Sequence, residues 1–301
     1  MSYTKEVKRE IGSLNHNRKC CDLALLATFY ALLSEEKRSV ITIKTENLTV
    51  GRKILVLTKK YLSFEPAIEI RNSAKNIIVI TVDNKENIKA LKDVLYLKSE
   101  KADIFYSVIN PRLVLDECCK RACLGGAFLV NGFISSPKKS YHFEITTHKK
   151  NVFENLSDIF FELGFNIKTV VRNNKYVIYL KNNEEISDFL NLTGAKRSLF
   201  KFVDTKLEKE LKNDINRQLN CENSNENKAI SASLLQKKAI DKIVAANKFD
   251  NLSDALKKTA ELRIVYPTMP LSELVLMSEA KITKSGLNHR LNKLISISEK
   301  L

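Results

Sequence analysis

The chain has 301 residues, a formal net charge of +15 and six cysteines. This length is enough for two or three domains with a substantial core. The positive charge favours a polyanionic partner, although an A+T-rich genome that encodes many lysines would give the same excess. The first ten residues contain no apolar signal segment, and the longest apolar stretch, residues 23–33, is too short to span a membrane. We therefore expect a cytoplasmic protein with reduced thiols and no membrane partner.

One sequence pattern occurs twice, 98 positions apart. Cys20-Cys21 opens one apolar helical run, and Cys118-Cys119 opens another. The same offset relates Ile78–Val82 to Tyr176–Leu180, and it relates Asn84, Glu86 and Ile88 to Asn182, Glu184 and Ile186. A single repetition of this length predicts a duplicated domain with a pseudo-two-fold axis rather than a solenoid. Such a surface suits a pseudo-symmetric partner such as duplex DNA.

The first copy has the pattern of helix, strand, helix, two strands and helix. The predicted helices are residues 20–33, 48–62 and 87–97, and the predicted strands are residues 39–44, 66–71 and 77–82, with a further short strand possible beside the first. The helix over residues 20–33 is apolar on nearly every side, which predicts that it is buried on most of its faces.

The second copy repeats this order. Its predicted helices are residues 117–130, 152–163 and 185–192, and its predicted strands are residues 133–134, 141–147, 167–172 and 175–181. Asn173-Asn174 predicts a type I′ turn in a hairpin, because asparagine tolerates a positive φ. Gly164 and Gly194 are expected to end the second and third helices of this copy.

The remainder of the chain is predicted to be helical. A charged helix over residues 198–219 is followed by the polar segment NCENSNENK, residues 220–228, which predicts a hinge between domains. Four helices then follow, at residues 229–246, 252–265, 271–277 and 283–298. The last three have the proportions of a helix-turn-helix. Ser253 can cap the first of them, and Thr283 or Ser285 can cap the last.

The last helix concentrates positive charge. Residues 281–301 hold five Lys/Arg and one Asp/Glu, whereas residues 221–280 hold eight of each. A general lysine bias does not explain why the positive charge of residues 221–301 is confined to the last helix. Leu287, Leu291 and Leu294 are expected to face inward. The residues expected to contact DNA phosphates and base edges are Lys281, Lys284, Ser285, Asn288, His289, Arg290 and Lys293. The alternative interpretation is a solvated basic helix face.

Other candidate sites are weaker. The side chains of adjacent cysteines on a helix point about 100° apart, which suits a metal ion less well than C-x-x-C spacing. We therefore expect buried thiols with no metal site and no cofactor. The four histidines, His16, His142, His148 and His289, form no triad pattern with nearby Asp or Ser. We expect that the chain is not an enzyme.

Three segments together resemble the bacterial WhiA family. They are KSGLNHRLNKL (284–294), CCKRACLGGAFLVNGFIS (118–135) and KSYHFEIT (139–146), and the segment NRQLNCENSNENK (216–228) also fits that family. The resemblance covers essentially the whole chain. It implies DNA-binding transcription regulators tied to sporulation, cell division and chromosome segregation, whose partner is double-stranded promoter DNA.

The resemblance also implies an α+β fold. Residues 1–219 are expected to form a degenerate domain like a LAGLIDADG homing endonuclease, with repeats at about 20–97 and 118–193. Residues 220–228 would be the hinge, and residues 229–301 a helical DNA-binding domain with its helix-turn-helix at about 270–301. We expect a monomer associated with the nucleoid, with another transcription or division protein as a possible partner.

A LAGLIDADG nuclease needs an acidic residue at the end of each of two crossing helices, where the carboxylates bind divalent metal. Here those positions fall at about Leu33 and at Asn131. We therefore expect no nuclease activity. Gly125 and Gly126 then act as packing residues where the two helices cross, with Ala122, Ala24 and Ala27. Two other functions stay open: an adaptor that binds another regulator or the division machinery, and an active homing endonuclease.

Overall fold

The structure is a computed structural model that describes residues 2–37, 39–72, 76–99, 102–105, 108–278 and 282–301. The predicted DNA contact Lys281 lies outside these described residues. The chain divides into two compact units, residues 1–207 and residues 208–301. Among the described residues, no helix is both long enough and apolar enough to cross a membrane.

The first copy of the repeat forms a sheet with helices on one face. Its elements are α2 (Lys19–Leu33), β1 (Ser34–Lys37), β2 (Val40–Thr45), α3 (Leu48–Leu62), β3 (Ala67–Asn72), β4 (Asn76–Val82) and α4 (Lys85–Val94), preceded by α1 (Tyr3–Ser13). The four strands are antiparallel and lie in the order β1-β2-β4-β3. The further short strand that the sequence left possible beside the strand over residues 39–44 is present as β1, which pairs with β2.

The second copy has the same topology. After the hairpin of β5 (Lys98–Ser99) and β6 (Ala102–Phe105) and a 3-10 turn (Pro111–Leu113) come α5 (Glu117–Asn131), β7 (Gly132–Ile134), β8 (Phe143–Thr147), α6 (Lys150–Glu162), β9 (Lys168–Arg172), β10 (Lys175–Leu180) and α7 (Asn183–Leu192). Its strand order, β7-β8-β10-β9, repeats that of the first sheet. The duplication predicted from the 98-residue offset is therefore confirmed.

Local sequence explains where several elements end. Asn173 and Asn174 have φ of 51° and 56° and join β9 to β10, as a type I′ turn requires. Gly164 and Gly194 have φ of +81° and +75° directly after α6 and α7, a left-handed conformation that favours glycine.

The core of the first unit is centred on α2 and α5, which pack against each other and against the sheet of their own repeat. α2 is buried along nearly its whole length, as its apolar composition predicted. Gly126 of α5 lies against α2: a Cβ atom at this position would be 2.8 Å from Cδ1 of Leu25. In the second half, the rings of four phenylalanines pack together; these are Phe128, Phe143, Phe160 and Phe189.

Helix α1 was not predicted from the sequence. Ser2 is its N-cap, and Tyr3, Val7 and Ile11 are buried on one face. The carboxylate of Glu10 accepts hydrogen bonds from the backbone N–H groups of Arg197 (2.7 Å) and Ser198 (3.0 Å). The apolar spacing i, i+4, i+8 was the available signal.

The predicted hinge is wrong in its conformation. One helix, α8 (Lys196–Ala245), runs through residues 220–228, and the boundary between the two compact units falls inside it at 207/208. The segment has neither glycine nor proline and is exposed throughout. Because an exposed helix hydrogen-bonds its own backbone, Asn and Ser weaken it only modestly and the lack of apolar residues does not end it.

The second unit is all helical. After a 3-10 turn (Phe249–Asn251) it contains α9 (Asp254–Val265), α10 (Leu271–Leu276) and α11 (Lys284–Glu299), close to the predicted bounds. Its core joins residues of α8, α9, α10 and α11: Ile240, Ile243, Leu256, Ala260, Leu274, Leu287, Leu291 and Leu294. The guanidinium of Arg263 is buried and donates to the carbonyl oxygens of Tyr266 and Met269, which fixes the connection from α9 to α10.

Candidate nucleic-acid interface

Helix α11 is fixed at both ends. The hydroxyl of Thr283 accepts a hydrogen bond from the backbone N–H of Gly286 at 3.1 Å, so Thr283 rather than Ser285 caps the helix. At the other end, the ammonium of Lys242 donates to the carbonyl oxygen of Ser298 at 2.9 Å. The three leucines predicted to face inward are buried. The orientation of α11 about its axis is therefore determined by packing.

The opposite face of α11 is exposed and polar. The predicted DNA contacts on it are Lys284, Ser285, Asn288, His289 and Lys293, and each is exposed. Asn292 is exposed between them and was not among the predicted contacts, although its position on the helix follows from the same periodicity. In a helix-turn-helix, the N-terminal residues of the second helix contact base edges. Ser285, Asn288 and His289 lie in this N-terminal part of α11 and are exposed.

Arg290 departs from the prediction. It is half-buried rather than exposed, and it lines a groove with Glu261 and Tyr266 of the α9 region. Arg290 lies beside Leu294 on the helix surface, at the border of the core face. It therefore flanks the exposed face instead of lying at its centre.

The two positions predicted to replace the nuclease acids lie at the ends of α2 and α5. Leu33 is half-buried at the end of α2 and Asn131 is exposed at the end of α5. Lys149, at the start of α6, donates from Nζ to the carbonyl oxygens of Ala31 (2.8 Å) and Ser34 (2.7 Å). A lysine ammonium from the second half therefore occupies the C-terminal end of α2.

The equivalent contact from the first half uses an amide. Asn47, at the start of α3, donates from Nδ2 to the carbonyl oxygen of Leu129 at 3.1 Å, and Leu129 is the repeat equivalent of Ala31. Lys8 of α1 also points to this end of α5, with its Nζ 3.4 Å from the carbonyl oxygen of Val130. Burial lowers the pKa of Lys8 and of Lys149 to about 8. The helix ends thus hold cations, which a helix C-terminus favours.

The sheet faces turned away from the helices carry charges that pair with one another. On the first sheet the guanidinium of Arg71 binds both carboxylate oxygens of Glu69, at 3.0 and 2.9 Å. On the second sheet Arg172 lies 3.1 Å from Glu144. Strand register places each pair on the outward face, opposite the buried residues. Part of the positive charge on these faces is therefore already neutralised.

The structure brings the two cysteine pairs together, a contact that the spacing within either pair does not predict. The cluster consists of Cys20, Cys21, Cys118 and Cys119, and their four Sγ atoms lie within 4.8 Å of one another. We call this set the four-cysteine cluster. Burial raises the pKa of the Cys21 thiol to about 12 and also raises that of Cys119. A hydrogen bond from Cys21 lowers the pKa of the Cys118 thiol.

Two family models match the chain. The WhiA LAGLIDADG-like domain matches residues 120–212, and the WhiA C-terminal HTH domain matches residues 215–298. A probable cell division protein WhiA from Lachnoclostridium phytofermentans is 37% identical over 312 residues, which cover 100% of this chain and 99% of the relative. The chain belongs to the WhiA family. The probable cell division protein WhiA of Bacillus subtilis (strain 168) is also 37% identical, over 309 residues that cover 100% of this chain and 97% of the relative.

Solved WhiA structures have the same fold. The crystal structure of full-length WhiA from Thermatoga maritima superimposes with a TM-score of 0.60 at 22% identity, covering 100% of this chain and 98% of that one. The N-terminal LAGLIDADG domain of WhiA superimposes with a TM-score of 0.50 at 22% identity, covering 64% of this chain and 89% of that one. The predicted family and the predicted α+β fold, with its LAGLIDADG-like and helix-turn-helix parts, are confirmed.

Proposed function

We propose that the chain is a DNA-binding transcription regulator that acts in cell division and chromosome segregation, and in sporulation in sporulating relatives. Its partner is double-stranded promoter DNA, and it acts in the cytoplasm in association with the nucleoid. One observation carries the proposal: α11 is held by a buried leucine face and a Thr283 cap, and it presents Ser285, Asn288 and His289 to solvent at its N-terminal end.

Two further facts support DNA as the partner. The match to the WhiA helix-turn-helix domain includes α11. The excess of positive charge in the second unit is confined to residues 281–301. Lysine side chains on an exposed helix contact phosphates without regard to sequence, whereas Asn and Arg form bidentate hydrogen bonds with adenine and guanine edges. The face of α11 contains both kinds of side chain.

We also propose that the LAGLIDADG-like domain does not cut DNA. Hydrolysis of a phosphodiester by these folds needs divalent metal held by carboxylates at the two helix ends. Leu33 supplies no ligand atom, and Asn131 supplies only a neutral amide oxygen. The nearest acidic residue in sequence, Glu35, is exposed and lies 3.4 Å from the ammonium of Lys37. The ammonium groups of Lys8 and Lys149 at the helix ends would repel a divalent cation.

The proposal is tested by equilibrium binding of the full chain to promoter DNA and to random DNA over a range of salt concentrations. Asn288→Ala is expected to weaken binding to the specific site by about 1–3 kcal/mol and to relax selectivity, because it removes a base contact. Lys293→Ala is expected to weaken binding to both DNAs similarly, and to reduce the salt slope by about one, because it removes a phosphate contact.

The matched control is Lys238→Ala, which removes an exposed lysine of the same unit from α8. It is expected to leave affinity and salt slope unchanged. Arg290→Ala tests whether this half-buried arginine contacts a guanine, in which case binding to the specific DNA weakens by the same amount, about 1–3 kcal/mol. Equal and small effects of all these substitutions on both DNAs would refute recognition by α11.

A protein-binding role for the duplicated domain is the second candidate. The observation that favours it is the pairing of charges on the sheet faces, together with exposed apolar side chains there such as Phe133 and Val170. In the same binding experiment, this candidate predicts that Lys168→Ala on β9 leaves the salt slope for DNA unchanged. A slope reduced as much as by Lys293→Ala would instead place the sheet on DNA.

A further inference from the structure

The four-cysteine cluster lies where the N-terminal ends of α2 and α5 meet. Each helix contributes an adjacent pair, whose Sγ atoms are 4.0 Å apart, and all four Sγ atoms lie within 4.8 Å of one another. Cys20 and Cys118 are half-buried, and their neighbours Cys21 and Cys119 are buried. The thiols are therefore convergent and reachable from solvent on one side.

These distances suit one tetrahedral ion. Zinc binds thiolate sulfur at about 2.3 Å, so the sulfurs of a tetrahedral four-thiolate site lie about 3.8 Å apart. The sulfurs of the cluster need to contract by no more than about 1 Å in any pair to reach that geometry, which small side-chain rotations provide. The 100° separation of adjacent cysteines on one helix is no obstacle, because the second helix supplies the other half of the tetrahedron.

The charges around the cluster favour thiolates and so act against burial, which raises the pKa of the Cys21 and Cys119 thiols. All four cysteines lie in the first turn of a helix, where the macrodipole favours negative charge. Neither N-cap residue, Arg18 or Asp116, caps its helix with its side chain. The guanidinium of Arg18 lies 3.8 Å from Sγ of Cys118. A site with four thiolates and one Zn²⁺ has a net charge of −2, and two helix N-termini and an arginine partly balance it.

We propose that the four-cysteine cluster binds one Zn²⁺ ion as a structural site. When Zn²⁺ binds four protonated thiols, four zinc–sulfur bonds form and four protons are released. The four thiolates contribute a charge of −4 and the ion +2, so the net charge of the site changes from zero to −2. The ion joins the first helix of one repeat to the first helix of the other. It lies at the opposite end of the helix pair from Leu33 and Asn131, about 20 Å away for 13 residues of helix.

The test uses the full chain, purified under reducing conditions, stripped of metal and titrated with Co²⁺ and then Zn²⁺. We expect one equivalent of Co²⁺ with the thiolate charge-transfer and visible bands of a tetrahedral sulfur site, displaced by one equivalent of Zn²⁺. Zinc is expected to raise the Tm. The double variant Cys20→Ser/Cys118→Ser is expected to lose these responses, and Cys221→Ser, which changes an exposed cysteine of α8, is expected to keep them.

A further variant protects the test against misfolding of the double variant. Cys118→His at a half-buried position keeps a zinc ligand, so it is expected to bind one Co²⁺ with its visible bands shifted to shorter wavelength. Three results would overturn the proposal. They are a reduced wild-type chain without the cobalt bands, undiminished binding by a folded double variant, and disulfide formation within the cluster at equal rates with and without zinc.

Discussion

Lys149 and Asn47 occupy equivalent places in the two halves of the molecule. Each lies at the start of the second helix of its repeat and donates to a carbonyl oxygen in the first helix of the other repeat. The resemblance to LAGLIDADG nucleases predicts that Leu33 and Asn131 stand where a nuclease has its two acidic residues. It did not predict Lys149 at the same helix end, because that contact joins residues more than 100 positions apart and depends on how the halves pack.

The half-buried side chain of Lys149 makes stability depend on pH. Burial lowers its pKa in the folded state to about 8, below the ordinary lysine value. Between these two values the unfolded chain binds more protons than the folded chain, so this residue's contribution to stability rises with pH. We therefore expect the free energy of unfolding of the wild type, relative to that of Lys149→Met, to increase from pH 7.5 to about 9.5. This pH window follows from the folded-state pKa of Lys149 and the ordinary lysine pKa.

Urea unfolding of both proteins at the two pH values measures this shift. Lys150→Met is the control, because it removes the charge of the adjacent, exposed lysine. A difference in free energy of unfolding that stays constant with pH, or that moves in favour of Lys149→Met, would contradict the lowered pKa of Lys149 in the folded chain.

Helices α2 and α5 show how two adjacent glycines can have different roles. A Cβ atom on Gly126 would lie 2.8 Å from Cδ1 of Leu25, with Phe29 also close, whereas a Cβ atom on Gly125 would have its nearest neighbour, Ile11, at 3.4 Å. Leu25 and Phe29 are buried, so they have little room to move. The close approach of the helices therefore depends on Gly126 more than on Gly125.

We expect Gly126→Ala to be less stable than Gly125→Ala by about 1–3 kcal/mol in free energy of unfolding, the usual cost of overpacking. Both changes replace glycine by alanine in the same helix, so the gain in helix propensity cancels between them. Denaturant unfolding of the two variants gives the difference directly. Equal stabilities would show that the helices do not approach each other this closely.

Periodicity predicted most of the elements. The bounds of α3 agree with the prediction, and the Asn173-Asn174 turn has the expected positive φ. Helix α1 was not predicted, although Tyr3, Val7 and Ile11 have helical spacing. Residues near a chain end are often irregular, so three apolar residues at this spacing did not suffice to predict a helix there. The hinge predicted at residues 220–228 was wrong, because a polar sequence indicates exposure and does not by itself indicate the end of a helix.

At the scale of the whole molecule, the sequence predicted a duplicated domain followed by a helix-turn-helix, and the WhiA relatives and structures agree. The four-cysteine cluster could not be predicted, because neither pair has chelating spacing and the site exists only when α2 and α5 pack side by side. For the same reason the border position of Arg290 appears only in the folded second unit, where α9 covers one flank of α11.

The central claim is that α11 recognises DNA while the LAGLIDADG-like domain leaves it intact. The most direct measurement incubates the full chain with sheared genomic DNA of its source organism and Mg²⁺, recovers the bound fragments and sequences them with their ends. We expect fragments that share a short motif, with random ends, and loss of the motif for Asn288→Ala. Bound fragments with no shared motif, or ends that fall at one sequence only when Mg²⁺ is present, would contradict the account.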